Sequence, residues 1–248
     1  MGTPVLPTVQ HPPRVSVVIP ALNEAENIGA LIDEVAAALA DLTPYEVLVI
    51  DDGSTDETAT VARGRRGAGL PVRVLRHGRR SGQSAAIVTG VRAAAGDWIV
   101  TLDGDGQNDP GDAPALLEKA WADDLDLVGG LRLKRRDRWS RRMATRIANG
   151  LRQALLKDGC ADTGCGLKVV RRSVFARLPY FNGLHRFLPA LVLSYGGRVA
   201  YLPVGHRPRV HGITKYTNWR RALAGIADLR GVMWLRKRTV LPDTVTEE

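Results

Sequence analysis

Residues 97–110 read DWIVTLDGDGQNDP, an apolar run that empties into three carboxylates, Asp103, Asp105 and Asp109, within seven positions. The surrounding chain carries a formal net charge of +9. Three readings of this gathering of acids compete. They are a polar turn, a calcium loop, and a magnesium or manganese site for an anionic substrate. Counted from Asp103, the fifth, sixth and twelfth positions of a calcium-binding EF-hand loop are Gln107, Asn108 and Pro114. That loop needs Gly at the sixth and Glu at the twelfth, between helices rather than after a strand. A turn accounts for any one such cluster, because Asp, Asn and Gly are ordinary turn residues. It does not account for acids at three strand ends.

Those other ends lie upstream. VSVVIP (15–20) reads as a buried strand ending in PALNE, and NIGALIDEVAAAL (27–39) as a helix. YEVLVIDDG (45–53) is a second strand ending in DDGSTD. STDETATVAR (54–63) opens a helix, with Ser54 and Glu57 spaced as a capping box. VRVLRH (72–77) is a third strand, SGQSAAIVTGVRAAAG (81–96) a helix, and DWIVTLDGDG a fourth strand. Asp109 and Pro110 fit the N-cap and first position of a helix over 110–122, and LDLVGGL (125–131) is a fifth strand. Strand and helix alternating in this way predict an α/β fold with a mostly parallel central sheet flanked by helices. In such sheets ligands bind outside the carboxyl ends of the strands.

The second half has another texture. Residues 132–142, RLKRRDRWSRR, hold seven Arg or Lys against one Asp. A helix is predicted over roughly 143–157, with Ile147, Leu151, Ala154 and Leu155 on one face. CADTGCGLKVVRRSVFARL (160–178) reads as loop, strand and short helix, and GRVAYLPV (197–204) as a late strand. After a basic loop, HRPRVHGITKYTN, the residues Trp219, Leu223, Ile226, Leu229 and Met233 recur at helical spacing. This helix fits a core-packing role and a membrane-surface role equally. With 248 residues, 44% of them hydrophobic, the chain reads as one domain over 14–235. A loose leader covers 1–13 and a polar tail 236–248, and basic segments at 132–157 and 204–235 would face acceptor and membrane.

The pI of about 10.1 points to a polyanionic partner: nucleic acid, acidic membrane or phosphorylated substrate. No apolar stretch reaches the roughly 18 residues of a membrane span. Cys160 and Cys165 read as buried thiols of a reduced, cytoplasmic protein. His185, His206 and His211 suit structural or phosphate-contacting roles better than metal ligation. No phosphate-binding loop with Lys-Ser/Thr is present, nor Gly-x-Gly-x-x-Gly after the first strand. What remains for the fourth strand end is an Asp-x-Asp site for a hard cation, of the kind held by one or two carboxylates plus substrate phosphates. Gly104 and Gly106 would let the backbone approach a nucleotide, and Asp51 and Asp52 could accept hydrogen bonds from its base or ribose.

VSVVIPALNEAENI, VLVIDDGSTDET, GQSAAIVTG and DGDGQNDP, in that order and spacing, resemble glycosyltransferase family 2. DTGCGLKVVRR and HGITKY further resemble its polyprenyl-phosphate (dolichol-phosphate) mannosyl- and glucosyltransferase branch. The resemblance runs from about 14 to 235. It implies a GT-A fold, a nucleotide-sugar donor linked through GDP or UDP, Mg2+ or Mn2+, and inverting transfer of a hexosyl unit. Pro20, Ala21 and Glu24 match the family's donor-binding turn, with Leu22 where many members have Tyr. Asp52 matches the acid that contacts the nucleotide. Asp103 and Asp105 match the metal motif, with Gln107 as companion and Gly104 in place of the commoner Ala. Arg132 and Arg146 match arginines that hold an acceptor phosphate, Asp162 falls in the segment before a later strand, and Lys215 matches the basic residue of a loop closing on the donor diphosphate.

That chemistry asks a protein to bring two anions together, which the cation, Lys215 and the arginines would permit. The acceptor phosphate is already ionised and needs no strong base. The expected setting is the inner face of the cytoplasmic membrane, held peripherally by anionic lipid, with a separate membrane protein as a possible partner. A second enzymatic reading keeps the donor half and transfers to a hydroxyl of a glycan or glycolipid, with Asp162 as base. A nucleic-acid binder would leave the strand-end acids without a role, and its basic run lacks interleaved aromatics apart from Trp139.

Overall fold

The computed structural model describes residues 14–132, 150, 152–208 and 218–241, with side chains of the last helix from 225 onward. Strands β1 (Val15–Ala21), β2 (Tyr45–Asp51), β3 (Val72–Arg76) and β4 (Trp98–Thr101) alternate with helices α1 (Ala25–Ala38), α2 (Thr58–Gly67) and α3 (Gln83–Ala93). Helix α4 (Ala113–Ala122) leads into β5 (Leu127–Arg132), and β6 (Lys168–Arg171) and β7 (Val199–Val204) complete one seven-stranded sheet in the order β3-β2-β1-β4-β6-β5-β7. β1 is parallel to both β2 and β4, β2 to β3, and β5 to β7. β6 alone is antiparallel, to β4 on one side and β5 on the other.

The strands of the sheet's middle are buried on both faces, which is why they read as continuous Val/Ile/Leu runs. One face carries a core with Ile28, Ile32, Leu116 and Leu117 from α1 and α4. The other carries Ile87 and Val91 of α3 with Leu188, Leu191 and Val232 from the helices Leu188–Ser194 and Asn218–Arg238. The chain runs outward from β1 to β2 and β3, then crosses back to place β4 on β1's other side. The loops after β1 and β4 therefore diverge and open a crevice between them.

Three local expectations are corrected. Ser54 and Glu57 form no capping box, because α2 starts only at Thr58 and Glu57 makes no side-chain cap bond. The side chains of this segment cap α1 instead. Ser54 Oγ accepts from Asn23 N–H at 2.9 Å, Thr58 Oγ1 from Glu24 N–H at 2.8 Å, and Asp56 Oδ2 from Ala25 N–H at 3.1 Å. In the helical turn at 152–156, Arg152 and Leu156 are buried and Leu155 is exposed. The face assigned to Leu155 is thus one residue out of register, and Ile147 and Leu151 lie outside the described residues. In the last helix Val232 is buried and Leu229 and Met233 pack on the core, but Ile226 is 52% exposed and Trp234 62%.

Candidate functional site

The crevice is a cavity of about 450 Å³ at the carboxyl ends of β1, β2 and β4. Pro20, Ala21, Glu24, Asp52, Asp103, Gly104, Asp105 and Gln107 all line it. Eight of the expected site residues, scattered over 88 positions of sequence, thus meet at one opening.

Two adjacent acids at the end of β2 divide the work. Asp51 is fully buried. It accepts a hydrogen bond from Ser54 N–H at 2.8 Å and pairs with Arg76 Nε at 3.1 Å. It is a structural brace, which corrects its assignment as a nucleotide contact. Asp52 faces the cavity. Its Oδ1 accepts from Ser81 N–H at 2.8 Å, with His77 Nδ1 at the same distance, and its Oδ2 accepts from Gly82 N–H at 2.8 Å. Asp52 therefore also pins the turn that starts α3. The turn after β1 is held as firmly: Asn23, at φ 52°, accepts on its Oδ1 from Thr55 N–H at 2.8 Å.

The Asp103–Gln107 loop lies just past β4. Asp103 Oδ1 accepts from Gln83 Nε2 at 2.7 Å, and Asp105 Oδ1 accepts from Gln107 N–H at 3.2 Å. A Cβ on Gly104 would stand 3.0 Å from the Pro20 carbonyl. The glycine thus lets this loop close on the β1 turn, before any ligand arrives. Gly106 takes the left-handed φ of +70°. A Cβ on Gly166 would collide with the Asp103 carboxylate, so the loop from 163 to 166 closes over that acid. The cluster supplies oxygen donors from two carboxylates and an amide at the mouth of a polar cavity, the set a hard divalent cation prefers.

Beyond the motif the chain turns basic. Arg132 Nε and Nη2 donate to the two Asp162 oxygens at 2.6 and 2.8 Å, a bidentate pair in which both side chains are largely buried. Burial works against the Arg132 charge, but the hydrogen bond and charge of Asp162 outweigh it and hold the guanidinium above its ordinary pKa. Neither residue lines the cavity itself; Thr163 and Gly164 do. A Cβ on Gly164 would stand 2.9 Å from Arg132 Nη2, which lies directly behind that wall. Arg146, Lys215 and His211 lie outside the described residues. Cys160 and Cys165 are buried and unpaired, their thiols pushed up by burial.

Sequence reasoning missed Arg80, Lys168 and Arg186 as cations of the cavity, and it named His185 without placing it there. One signal existed. Lys168 interrupts an apolar strand, GLKVV, where a charged residue has no place without a purpose.

Comparison with known proteins matches residues 16–178 to the model for glycosyl transferase family 2. The dodecaprenyl-phosphate galacturonate synthase of Rhizobium johnstonii is 36% identical over 234 residues, covering 92% of this chain and 69% of that protein. The undecaprenyl-phosphate 4-deoxy-4-formamido-L-arabinose transferase of Edwardsiella ictaluri is 38% identical over 205 residues, covering 82% of this chain. The chain spans only 62% of that relative's length. Among solved structures, glucosyl-3-phosphoglycerate synthase from Mycobacterium tuberculosis, in complex with Mn2+, uridine diphosphate and glucosyl-3-phosphoglycerate, superposes with a TM-score of 0.66 at 25% identity. That match covers 90% of this chain and 79% of the other. The architecture is GT-A.

Proposed function

The chain belongs to glycosyltransferase family 2, and from that premise we propose that it transfers a hexosyl unit, with inversion, from a GDP- or UDP-linked sugar to a polyprenyl phosphate. The observation that carries this reading is the cavity itself. Asp103 and Asp105 stand on one wall, and Lys168, His185 and Arg186 line the same space. Acids for a cation and cations for anions in one opening suit a reaction between two negatively charged substrates.

In this reading Pro20, Ala21, Glu24, Asp52 and Gly104 shape the seat of the nucleotide. Asp103, Asp105 and Gln107 hold Mg2+ or Mn2+, which when bound offsets charge developing on the leaving diphosphate. An oxygen of the acceptor phosphate forms the bond to the anomeric carbon from the face opposite the diphosphate. The bond from that carbon to the diphosphate oxygen breaks, and its electron pair departs with the nucleoside diphosphate. No proton has to be removed from the nucleophile. Lys215 and Arg146 keep the roles the resemblance gives them. Arg132 reaches the acceptor from behind Gly164, sharing its guanidinium with Asp162.

The alternative, transfer to a hydroxyl with Asp162 as base, is disfavoured because Arg132 occupies both oxygens of that carboxylate. The test is transfer of labelled sugar to a short polyprenyl phosphate with the matching polyprenol as control. Equal glycosylation of the alcohol would replace the lipid-phosphate reading with the hydroxyl one. A screen of nucleotide sugars with manganese, read as a melting shift, identifies the donor.

We also propose peripheral association with an anionic bilayer at its cytoplasmic face. Among the described residues no helix is long and apolar enough to cross a membrane. The last helix exposes Ile226 and Trp234, with Val240 and Leu241 just beyond it, beside exposed Arg230, Lys237 and Arg238. Apolar groups flanked by basic ones suit the headgroup region, where each cation contributes about 1 kcal/mol.

A further inference from the structure

Lys168 is only 5% exposed, yet it lines the cavity. It opens β6, where the antiparallel register sets it opposite Thr101 of β4, two residues before Asp103. Its ammonium donates to the Cys165 carbonyl, a neutral acceptor. Among the described residues no carboxylate lies within ion-pair distance of it. A buried ammonium answered only by a neutral oxygen is costly, and proteins keep such charges where an anion arrives to answer them.

Its surroundings fit an anion with an apolar tail. Ile87 and Leu188 line the same cavity, and apolar lining strengthens a charge interaction beside it. His185 stands on the same lining, its Nδ1 fixed 2.8 Å from Ser84 Oγ, which in turn accepts from Gly183 N–H at 3.0 Å. The ring is thus held by a fully buried serine behind the wall. Arg132, in contrast, shares its guanidinium with Asp162 and does not line the cavity.

Building on the lipid-phosphate reading above, we propose that Lys168 is the anchor of the acceptor's phosphate, with His185 as its neighbour in the seat. Its ammonium compensates the second anion where the cation held by Asp103 and Asp105 compensates the first. The nucleophilic oxygen is thereby brought beside the donor without raising the net charge of the site.

The experiment measures binding before chemistry. Farnesyl phosphate is titrated into the metal-free protein, with farnesol as the control for the chain alone. Uridine and guanosine diphosphates are titrated separately with manganese. Lys168→Met keeps an unbranched side chain of similar length and removes the charge. It is expected to weaken farnesyl phosphate about 30-fold, the worth of one charged hydrogen bond in a dry site, while leaving nucleotide affinity unchanged and the acceptor KM raised in step. Unchanged farnesyl phosphate binding overturns the proposal. So does an equal loss of nucleotide affinity, which would assign Lys168 to the leaving diphosphate. Should Lys168→Met fail to fold, the wild-type Lys168 side-chain NMR signal decides: it shifts on adding farnesyl phosphate, and a signal that stays put overturns the proposal. Wild-type protein that ignores farnesyl phosphate and glycosylates only alcohols overturns the lipid-phosphate reading itself, a result distinct from a fully active Lys168→Met.

Discussion

Past the end of β2, Asp52 and Asp56 are answered chiefly by backbone N–H groups; after β5, Asp158 and Asp162 are answered chiefly by guanidinium groups. Asp52 takes the amides of Ser81 and Gly82, and Asp56 those of Ala25 and Thr58. Asp162 takes Arg132, and Asp158 takes Arg152, a buried pair whose second contact is at 3.2 Å. Amide donors fix the shape of a loop and bring no full charge of their own, so the wall at Asp52 is preformed at any ionic strength. An ion pair stores a cation that an arriving anion can compete for. One wall is built to hold a shape, the other to hold charge.

The sharpest test beside this contrast is at the acids that open onto the cavity between the two regions, Asp103 and Asp105. Asp105→Ala is expected to abolish transfer, by roughly three orders of magnitude or more, along with metal-dependent nucleotide binding, while the fold persists. Calorimetry of the nucleoside diphosphate with and without manganese checks this, and equal affinity in mutant and wild type removes Asp105 from the metal site.

Next in size is the guanidinium side, at Arg132. Arg132→Ala is expected to reduce transfer to polyprenyl phosphate by about 30- to 1000-fold, or about 2–4 kcal/mol, with donor affinity nearly intact. It also removes the bidentate partner of a largely buried acid, at a stability cost of about 3–5 kcal/mol. Removing Asp162 as well is expected to restore much of that stability and none of the transfer. A double-mutant cycle followed by denaturant unfolding measures the coupling, and a double mutant no more stable than Arg132→Ala shows that the pair does not carry the wall.

Third, the exposed face of the last helix is probed by flotation with anionic liposomes. Binding is expected to weaken as salt rises, since exposed charges are screened over about 10 Å at 0.1 M, and Trp234→Glu is expected to lower it about 10-fold. Salt-insensitive binding in both proteins detaches this helix from the membrane role.

The smallest effect belongs to the preformed wall. Asp56→Ala is expected to cost about 1 kcal/mol at neutral pH, the worth of a helix cap. Burial would raise the Asp56 pKa, but the Thr58 hydroxyl and the amides it accepts from hold it below the ordinary carboxylate value. A depressed carboxyl stabilises the fold above its unfolded pKa, near 4, and loses that contribution as pH falls through the depressed value. Thermal melts of wild type and mutant should therefore converge in acid, and a gap that stays constant with pH means the carboxylate's charge plays no part.

Much of the architecture was legible because its signals are local. Apolar runs of strand length, helical spacing and turn residues at their ends located β1 to β5 within a few positions. The order of the acidic turns anticipated that Pro20, Ala21, Glu24, Asp52, Asp103, Gly104, Asp105 and Gln107 share one opening. The failures have one cause. Ser54 and Glu57 have capping-box spacing, but Ser54 faces Asn23, 31 residues away. The face assigned around Leu155 went wrong because helix periodicity there competes with a buried Arg152, held by Asp158, the Cys160 carbonyl and the Phe187 ring.

Asp51 and Asp52 mark the boundary. Residue type and spacing by themselves determined that acids stand at the carboxyl end of β2, since strand and turn follow from neighbours along the chain. Which of the two became a brace and which faces the cavity was decided by Arg76, Ser81 and Gly82, brought in by β3 and α3. Lys168 is the same case at longer range. A lysine in an apolar strand is visible in the sequence, but its place opposite Thr101 exists only because β6 enters antiparallel between β4 and β5. Strand pairing across some 70 residues is set by the burial of whole faces, and no local periodicity records which neighbour a strand will find.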